Sequence, residues 1–471
     1  MTATIAPDPA AAPASAQPVD RLPFNLKLGW ATGAFGVALL MNGISGLILL
    51  FAASILGIDP WLAGAVIFVS KLFDVVTDPV VGVWSDRYKG KVGRRRPFLL
   101  WGAVLSALSF AAVFTTPSFE SQYLTAAYLF FALCLYAFAY TLYNIPYMSM
   151  PAEMTDSYHE RSSIHSFRMV FIALGSMVGT AGFKFVLERL GKTDPQSYAT
   201  VGIGCAVLIL LSMMIAYYTT AKARFTEAGA PSKEGNFKQI TTEFSAVTGN
   251  SNFLKLISVK FAQLMGVQTM GAGIAYFFVQ YLQRDFDVLA LFGLTVTASV
   301  IVFSPVLVKF SKRYGKKAAY YVAAGINVAY GLSWSLAGPE EPVWAILLRA
   351  ALVGIAFGGN VVMAMSMLTD IINEDANRTG VRREGAFTAL YSFVEKLTGA
   401  IGPLIVGVAL TYAGFNKDLP FDVPQGGNVD TALLLAVSWL PAFFNLVAVI
   451  LLKGYNLTEE DVSAPPQRET T

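Results

Sequence analysis

Residues 60–97 read PWLAGAVIFVSKLFDVVTDPVVGVWSDRYKGKVGRRRP. The run opens as a membrane helix, because Trp61 to Ser70 carry no charge and a span needs about 20 mostly apolar residues. It closes on a cationic cluster of Arg87, Lys89, Lys91, Arg94, Arg95 and Arg96, and short loops rich in Lys and Arg stay in the cytoplasm. Between these limits lie Asp74 and Asp78, whose i, i+4 spacing puts both carboxylates on one helix face. Asp78 precedes Tyr88 by ten residues, roughly 15 Å of helix in a hydrocarbon core about 30 Å thick. An ionisable group at that depth costs at least about 2.5–3.5 kcal/mol on insertion scales and marks function by default.

The rest of the chain repeats the apolar pattern. Of 471 residues, 55% are apolar or aromatic and 14% charged, against about 25% charged in soluble domains. That composition excludes a soluble domain, a disordered chain and a coiled coil. With a net charge of +3 and scattered cations, it gives no nucleic-acid-binding face. Cys134 and Cys205 sit in apolar runs and read as packing residues.

Cutting at charged or Gly/Pro-rich breaks gives twelve apolar runs, at 27–55, 60–87, 97–116, 121–150, 163–189, 199–220, 253–284, 286–311, 316–337, 341–371, 384–414 and 430–453. The expected division is a cytoplasmic tail over 1–26, a six-helix bundle over 27–220, a polar middle loop over 221–252, a second six-helix bundle over 253–453 and a tail over 454–471. Both tails are expected to be disordered. Loop cations at Lys222, Arg224, Lys233, Lys238, Lys312, Arg313, Lys316 and Lys317 place these connections and both termini in the cytoplasm. Laying Pro79 on Pro305 brings Ser85-Asp86-Arg87-Tyr88 onto Ser311-Lys312-Arg313-Tyr314, the trace of a parallel repeat of the major-facilitator type. The fold class is therefore all-α, a multi-pass membrane protein with two pseudo-symmetric bundles. In that alignment Val300 and Ser304 stand opposite Asp74 and Asp78, so the acids serve the first half alone.

Other polar groups converge on the same depth. Pro79 lacks the N–H that would bond the carbonyl of Val75, and Thr77 stands beside the acids, so hard oxygen donors suited to a small cation gather there. Lys396 lies twelve residues after Glu384, about 18 Å deep. Two acids and one lysine sum to minus one, and Na+ or H+ would neutralise them. The bland alternative is an ion pair that only fastens two helices. Thr141 and Asn144 reach the midplane on the fourth run, where they could equally be bundle-core hydrogen-bonders. Arg168 offers a fork of donors for a hydroxyl pair or carboxylate, or else a bridge between helices. Lys71, one turn before Asp74, reads as a substrate ligand or as a snorkelling counter-charge. No HExxH, GxSxG or phosphate loop is present, and His159 with His165 reads as part of a solvated loop, so no enzyme and no cofactor are expected.

The run Asp74-x-x-x-Asp78-Pro79-x-x-Gly82-x-x-x-Asp86-Arg87, then Gly93-Arg94-Arg95-Arg96-Pro97, resembles the glycoside-pentoside-hexuronide:cation symporter family, the melibiose permease-like branch of the major facilitators. Asn144-Ile145-Pro146-Tyr147 and Arg383-Glu384-Gly385 before Lys396 match it too, so the likeness spans about 27–453. The resemblance implies a cation site at Asp74, Thr77, Asp78 and Thr141, with the two acids holding Na+ if sodium is the coupling ion. It implies a coupling role for Lys396, sugar-site positions at Asn144, Arg168 and Ser392, and a cytoplasmic gate at Gly82, Asp86, Arg87, Gly93 and Arg94. The chain departs from the melibiose permease pattern at Ala38 and Asn144, where acids are usual there, and at Met148 and Val361, where tryptophans are.

The expected function is symport of a sugar or glycoside with Na+ or H+ by a monomer in a cell membrane, in a bacterium the inner one. The alternatives are transport of a lysolipid or other amphiphile, and a membrane sensor or scaffold that moves nothing.

Overall fold

The computed structural model describes residues 22–88, 90, 95–155, 158–223, 245, 247–380 and 383–457. Among them all regular structure is helical. It forms twelve long rods, whose stability rests mostly on packing against one another rather than on helix propensity alone. The first six are α1 (Phe24–Ile44, continued by Ile48–Leu50 and a π turn Phe51–Ile55), α2 (Pro60–Arg87), α3 (Arg96–Phe114), α4 (Gln122–Met154), α5 (Tyr158–Met177, through a π turn Val178–Gly182 to Phe183–Leu190) and α6 (Pro195–Thr219). The last six are α7 (Ser251–Tyr276 with a π turn Phe277–Tyr281), α8 (Phe286–Tyr314), α9 (Lys316–Ser333), α10 (Val343–Thr379), α11 (Glu384–Tyr412) and α12 (Gly427–Leu434, Leu435–Trp439, Leu440–Leu452). Nine rods are long and apolar enough to cross a membrane, among the described residues; α2, α7 and α9 fall outside that set.

Local chemistry sets the ends. Asp194 accepts from Gln196 N at 3.0 Å and Asn250 from Phe253 N at 3.0 Å, satisfying N–H groups that a helix start leaves free. Gly315, at φ +88°, breaks α8 from α9, a conformation that a residue with Cβ resists. Two tail boundaries differ from expectation. Helix α1 begins at Phe24, tied down by Leu22 N donating to Glu160 at 3.0 Å and by the Lys27–Glu160 pair at 2.7 Å. At the other terminus Tyr455 is buried, and its carbonyl accepts from Lys317, so ordered chain passes Lys453.

The packing has a rule. Within the first six rods, α1 lies on α5 and α6, α2 on α4, and α3 on α4 and α6; adding six to every number gives the packing of the last six. Between the sets, α2 meets α11 and α5 meets α8. These crossings are tight at the far end, opposite the end where α1 begins and α12 stops. A Cβ on Gly407 would sit 2.2 Å from the Pro60 carbonyl, and one on Gly64 3.0 Å from Leu404 Cα, so only glycine lets the backbones of α2 and α11 approach so closely. Ion pairs close the same end: Asp59–Lys417 at 2.8 Å, Lys192–Asp285 at 2.7 Å and Arg189–Asp287 at 3.2 Å. The terminal end is looser. On α11, Glu384, Thr388, Ser392 and Glu395 are exposed, whereas no residue from Lys396 to Leu410 is.

Candidate functional site

Helix α2 continues through Pro79 and presents Asp74 and Asp78 to α4 on one side and α11 on the other. Thr141 Oγ1 of α4 stands 2.7 Å from Asp78 Oδ1 and 3.1 Å from Asp74 Oδ1. One hydroxyl proton thus serves two carboxylates. Lys396 Nζ of α11 lies 3.1 Å from Asp74 Oδ2, pairs still more closely with Asp78 Oδ2, and reaches the Asp74 carbonyl at 3.5 Å. Asp74 is 5% exposed, while the Asp78 and Lys396 side chains are 32% and 18% exposed. The inner carboxylate is sealed and the outer one faces open space at mid-helix, where only an aqueous cavity tolerates it.

This geometry joins the two sets of rods through charge. An ammonium between two carboxylates offsets one of their two charges, and removing it leaves uncompensated buried charge costing about 3–5 kcal/mol. The carboxylates, the Thr141 oxygen and the Asp74 carbonyl are all hard oxygens, the donor type that small hard cations and protons take. Among the described residues no group of three or more His, Cys, Asp or Glu gathers that could hold a metal ion, so any cation here would rest on two carboxylates with hydroxyl and carbonyl oxygens.

The other expected residues divide. The Thr77 hydroxyl bonds the Asp74 carbonyl at 3.1 Å, not a carboxylate. Asn144 Nδ2 donates to Tyr140 Oη at 3.1 Å. Tyr140 lies within the electrostatic reach of Asp74, Asp78, Arg168 and Glu395. Arg168 keeps a buried Nε with no partner, and its charge acts on Tyr147 as well as Tyr140. Lys71 lines a cavity of about 30 Å³ with Ser70, Tyr136 and Ile67, room for water and not for a sugar. It feels Asp74 and Lys396 without bonding either, which fits a counter-charge. Ser392 is exposed on the face of α11 below Lys396. At the terminal end of α2, Gly82 has open space where a side chain would be. The side chains of Asp86 and Arg87, and Gly93 and Arg94 altogether, lie outside the described residues.

Sequence reasoning missed Tyr140 and the Lys260–Glu395 pair, 3.6 Å apart on α7 and α11. Tyr140 had a signal, since it is one turn before Asn144. Glu395 was masked by its neighbour Lys396, although adjacent helix residues point about 100° apart.

Compared with known proteins, residues 29–459 match the family described as MFS/sugar transport protein. The chain belongs to that family. Its members are membrane transporters of the major facilitator fold and not enzymes. This MFS/sugar transport protein is 26% identical to an Escherichia coli protein, YagG, named provisionally as a glycoside/cation symporter, over 93% of each chain. It is 24% identical to a Salmonella typhimurium protein named provisionally as a sulfoquinovose importer, over 93% of this chain and 91% of that one. It is 25% identical to an uncharacterised symporter of Synechocystis, over 93% and 95%. The crystal structure of the nucleoside transporter NupG superposes with a TM-score of 0.67 at 12% identity, covering 92% of this chain and all of that one, a likeness of fold.

Proposed function

We propose that this transporter is a secondary active symporter that couples entry of Na+ or H+ to uptake of a sugar or glycoside by alternating access. The observation that carries the reading is the Lys396 ammonium of α11 held between the Asp74 and Asp78 carboxylates of α2. A cation arriving at the acids competes with that ammonium. Once displaced, Lys396 is free to turn to the cavity and to substrate, and the charge bond between the two sets of rods is weakened. Loading by cation and by substrate are thereby linked, since each favours the same release. The exposed outer carboxylate supplies the route in from the terminal end, and the far-end ion pairs hold the opposite exit shut.

Asn144 and Arg168 form the substrate wall on α4 and α5, and Ser392 faces them on α11. The names of the glycoside and sulfoquinovose relatives support a hydroxylated cargo. The twelve rods are read as twelve spans in a bacterial inner membrane, with both termini cytoplasmic and a monomer as the working unit. Proteoliposomes with imposed Na+ or pH gradients test this: wild type accumulates a sugar or glycoside uphill, and Asp74→Cys and Asp78→Cys insert normally yet do not. Unimpaired uphill uptake in both variants refutes the coupling role.

A further inference from the structure

Helix α11 carries a second charge next to Lys396. Glu395 lies eleven residues past Glu384, about 16 Å along the helix, and its side chain is 47% exposed. A carboxylate that open at mid-helix cannot face hydrocarbon. Its partner fixes its direction: Lys260 of α7, 2% exposed, approaches to 3.6 Å, and Tyr140 of α4 lies within the electrostatic reach of Glu395. Glu395 therefore lies on the face of α11 turned toward α7, open to water and paired with a buried lysine.

The pair is loose. A charge-assisted N–H···O bond closes to about 2.7–2.9 Å, and this one stays at 3.6 Å. The Lys260 ammonium has three donors, yet it has one carboxylate at that distance and the Tyr391 ring at 5.1 Å. Behind it, Gln263 Nε2 and Tyr391 Oη are buried without partners, and Tyr320 Oη only brushes Gln263 at 3.5 Å. Buried polar groups are rarely left unmatched. This wall thus keeps spare hydrogen-bonding capacity around an opened ion pair.

We propose that Glu395 and Lys260 form a second substrate subsite that reads a vicinal diol, one hydroxyl donating to the Glu395 carboxylate and its neighbour accepting from the Lys260 ammonium. This rests on the reading of the cargo as a sugar or glycoside, and it assigns recognition to the wall formed by α7 and α11 as well as to that formed by α4 and α5. The subsite is separate from the cation site: adjacent positions on α11 point Glu395 at α7 and Lys396 at α2.

The test uses full-length protein in proteoliposomes with labelled xylose, methyl-β-glucoside and glucuronate as probes. Glu395→Gln keeps the shape and removes the charge. The double variant Lys260→Met with Glu395→Leu removes both charges, so neither is stranded. In both, stabilisation of the purified protein by Na+ or by protons stays within about twofold of wild type, KM for the best-accumulated probe rises at least tenfold, and the preference for that probe over its deoxy analogue collapses. Wild-type KM and selectivity in both variants overturn the subsite while leaving symport intact. If wild type itself accumulates none of the three probes, the sugar reading falls and the subsite with it.

Discussion

Replacing Lys396 by Met asks whether the ammonium competes with the coupling ion. The side chain keeps its length and loses its charge, so Asp74 and Asp78 face each other through Thr141 alone. At 3.1 Å and an effective dielectric of about 20, the Lys396–Asp74 attraction is about 5 kcal/mol before desolvation. Desolvation offsets several kcal/mol of that, so a cation entering the wild-type site works against a net of order 1–3 kcal/mol. At 1.4 kcal/mol per tenfold, deleting the amine tightens cation binding about 5- to 140-fold. The assay is thermal stability of the purified protein, titrated with Na+ at fixed pH and with pH at fixed salt. In Lys396→Met the midpoint moves to lower Na+, or to higher pH if the ion is a proton, while gradient-driven accumulation is lost. An unchanged or weakened cation midpoint refutes the competition on which the mechanism depends.

Two further outcomes follow from the far end. Gly407→Ala forces a methyl against the Pro60 carbonyl; overpacking of this kind costs about 1–3 kcal/mol and falls on the closed far end alone, so uptake drops severalfold or more, and wild-type uptake would contradict the close approach. Asp59 is held below its ordinary carboxylate value of 3.8 by the hydrogen bond from Lys417, against partial burial and with help from Gln122. A depressed value adds stability that is present above pH 3.8 and disappears as pH falls through the depressed value. Asp59→Asn is therefore expected to lower stability by up to about 1 kcal/mol at pH 7, with the difference from wild type shrinking under strong acid; a difference independent of pH would contradict the pairing.

Much of this was legible because charge in a span is costly. Asp74, Asp78 and Lys396 stood out by depth, and helix rise brought them to one level before any coordinates were needed. The runs located the rods but not all their ends: the sixth, cut at 199, begins at Pro195 with Asp194 capping it, and the tenth, cut at 371, continues to Thr379. What the sequence did not reveal was pairing across rods. Asp59, Asp285 and Asp287 have partners, Lys417, Lys192 and Arg189, that lie 93 to 358 residues away in the chain and meet them only once α2 lies on α11 and α5 on α8. Nothing local in the sequence links Lys260 on α7 to Glu395, 135 residues away, and the pair appears only in the fold. Thr77 was placed by proximity in sequence, but a threonine hydroxyl in a helix readily bonds the carbonyl three residues back, and here it does.

On the proposed mechanism Asp74 and Asp78 hold the coupling ion. Cation binding by purified protein tests it directly, with stability and proton release followed during a Na+ titration in wild type and in Asp74→Asn with Asp78→Asn. The account predicts saturable stabilisation by Na+, or proton uptake as pH falls, in wild type and neither in the double variant. A double variant that is correctly folded and binds the cation like wild type would contradict it.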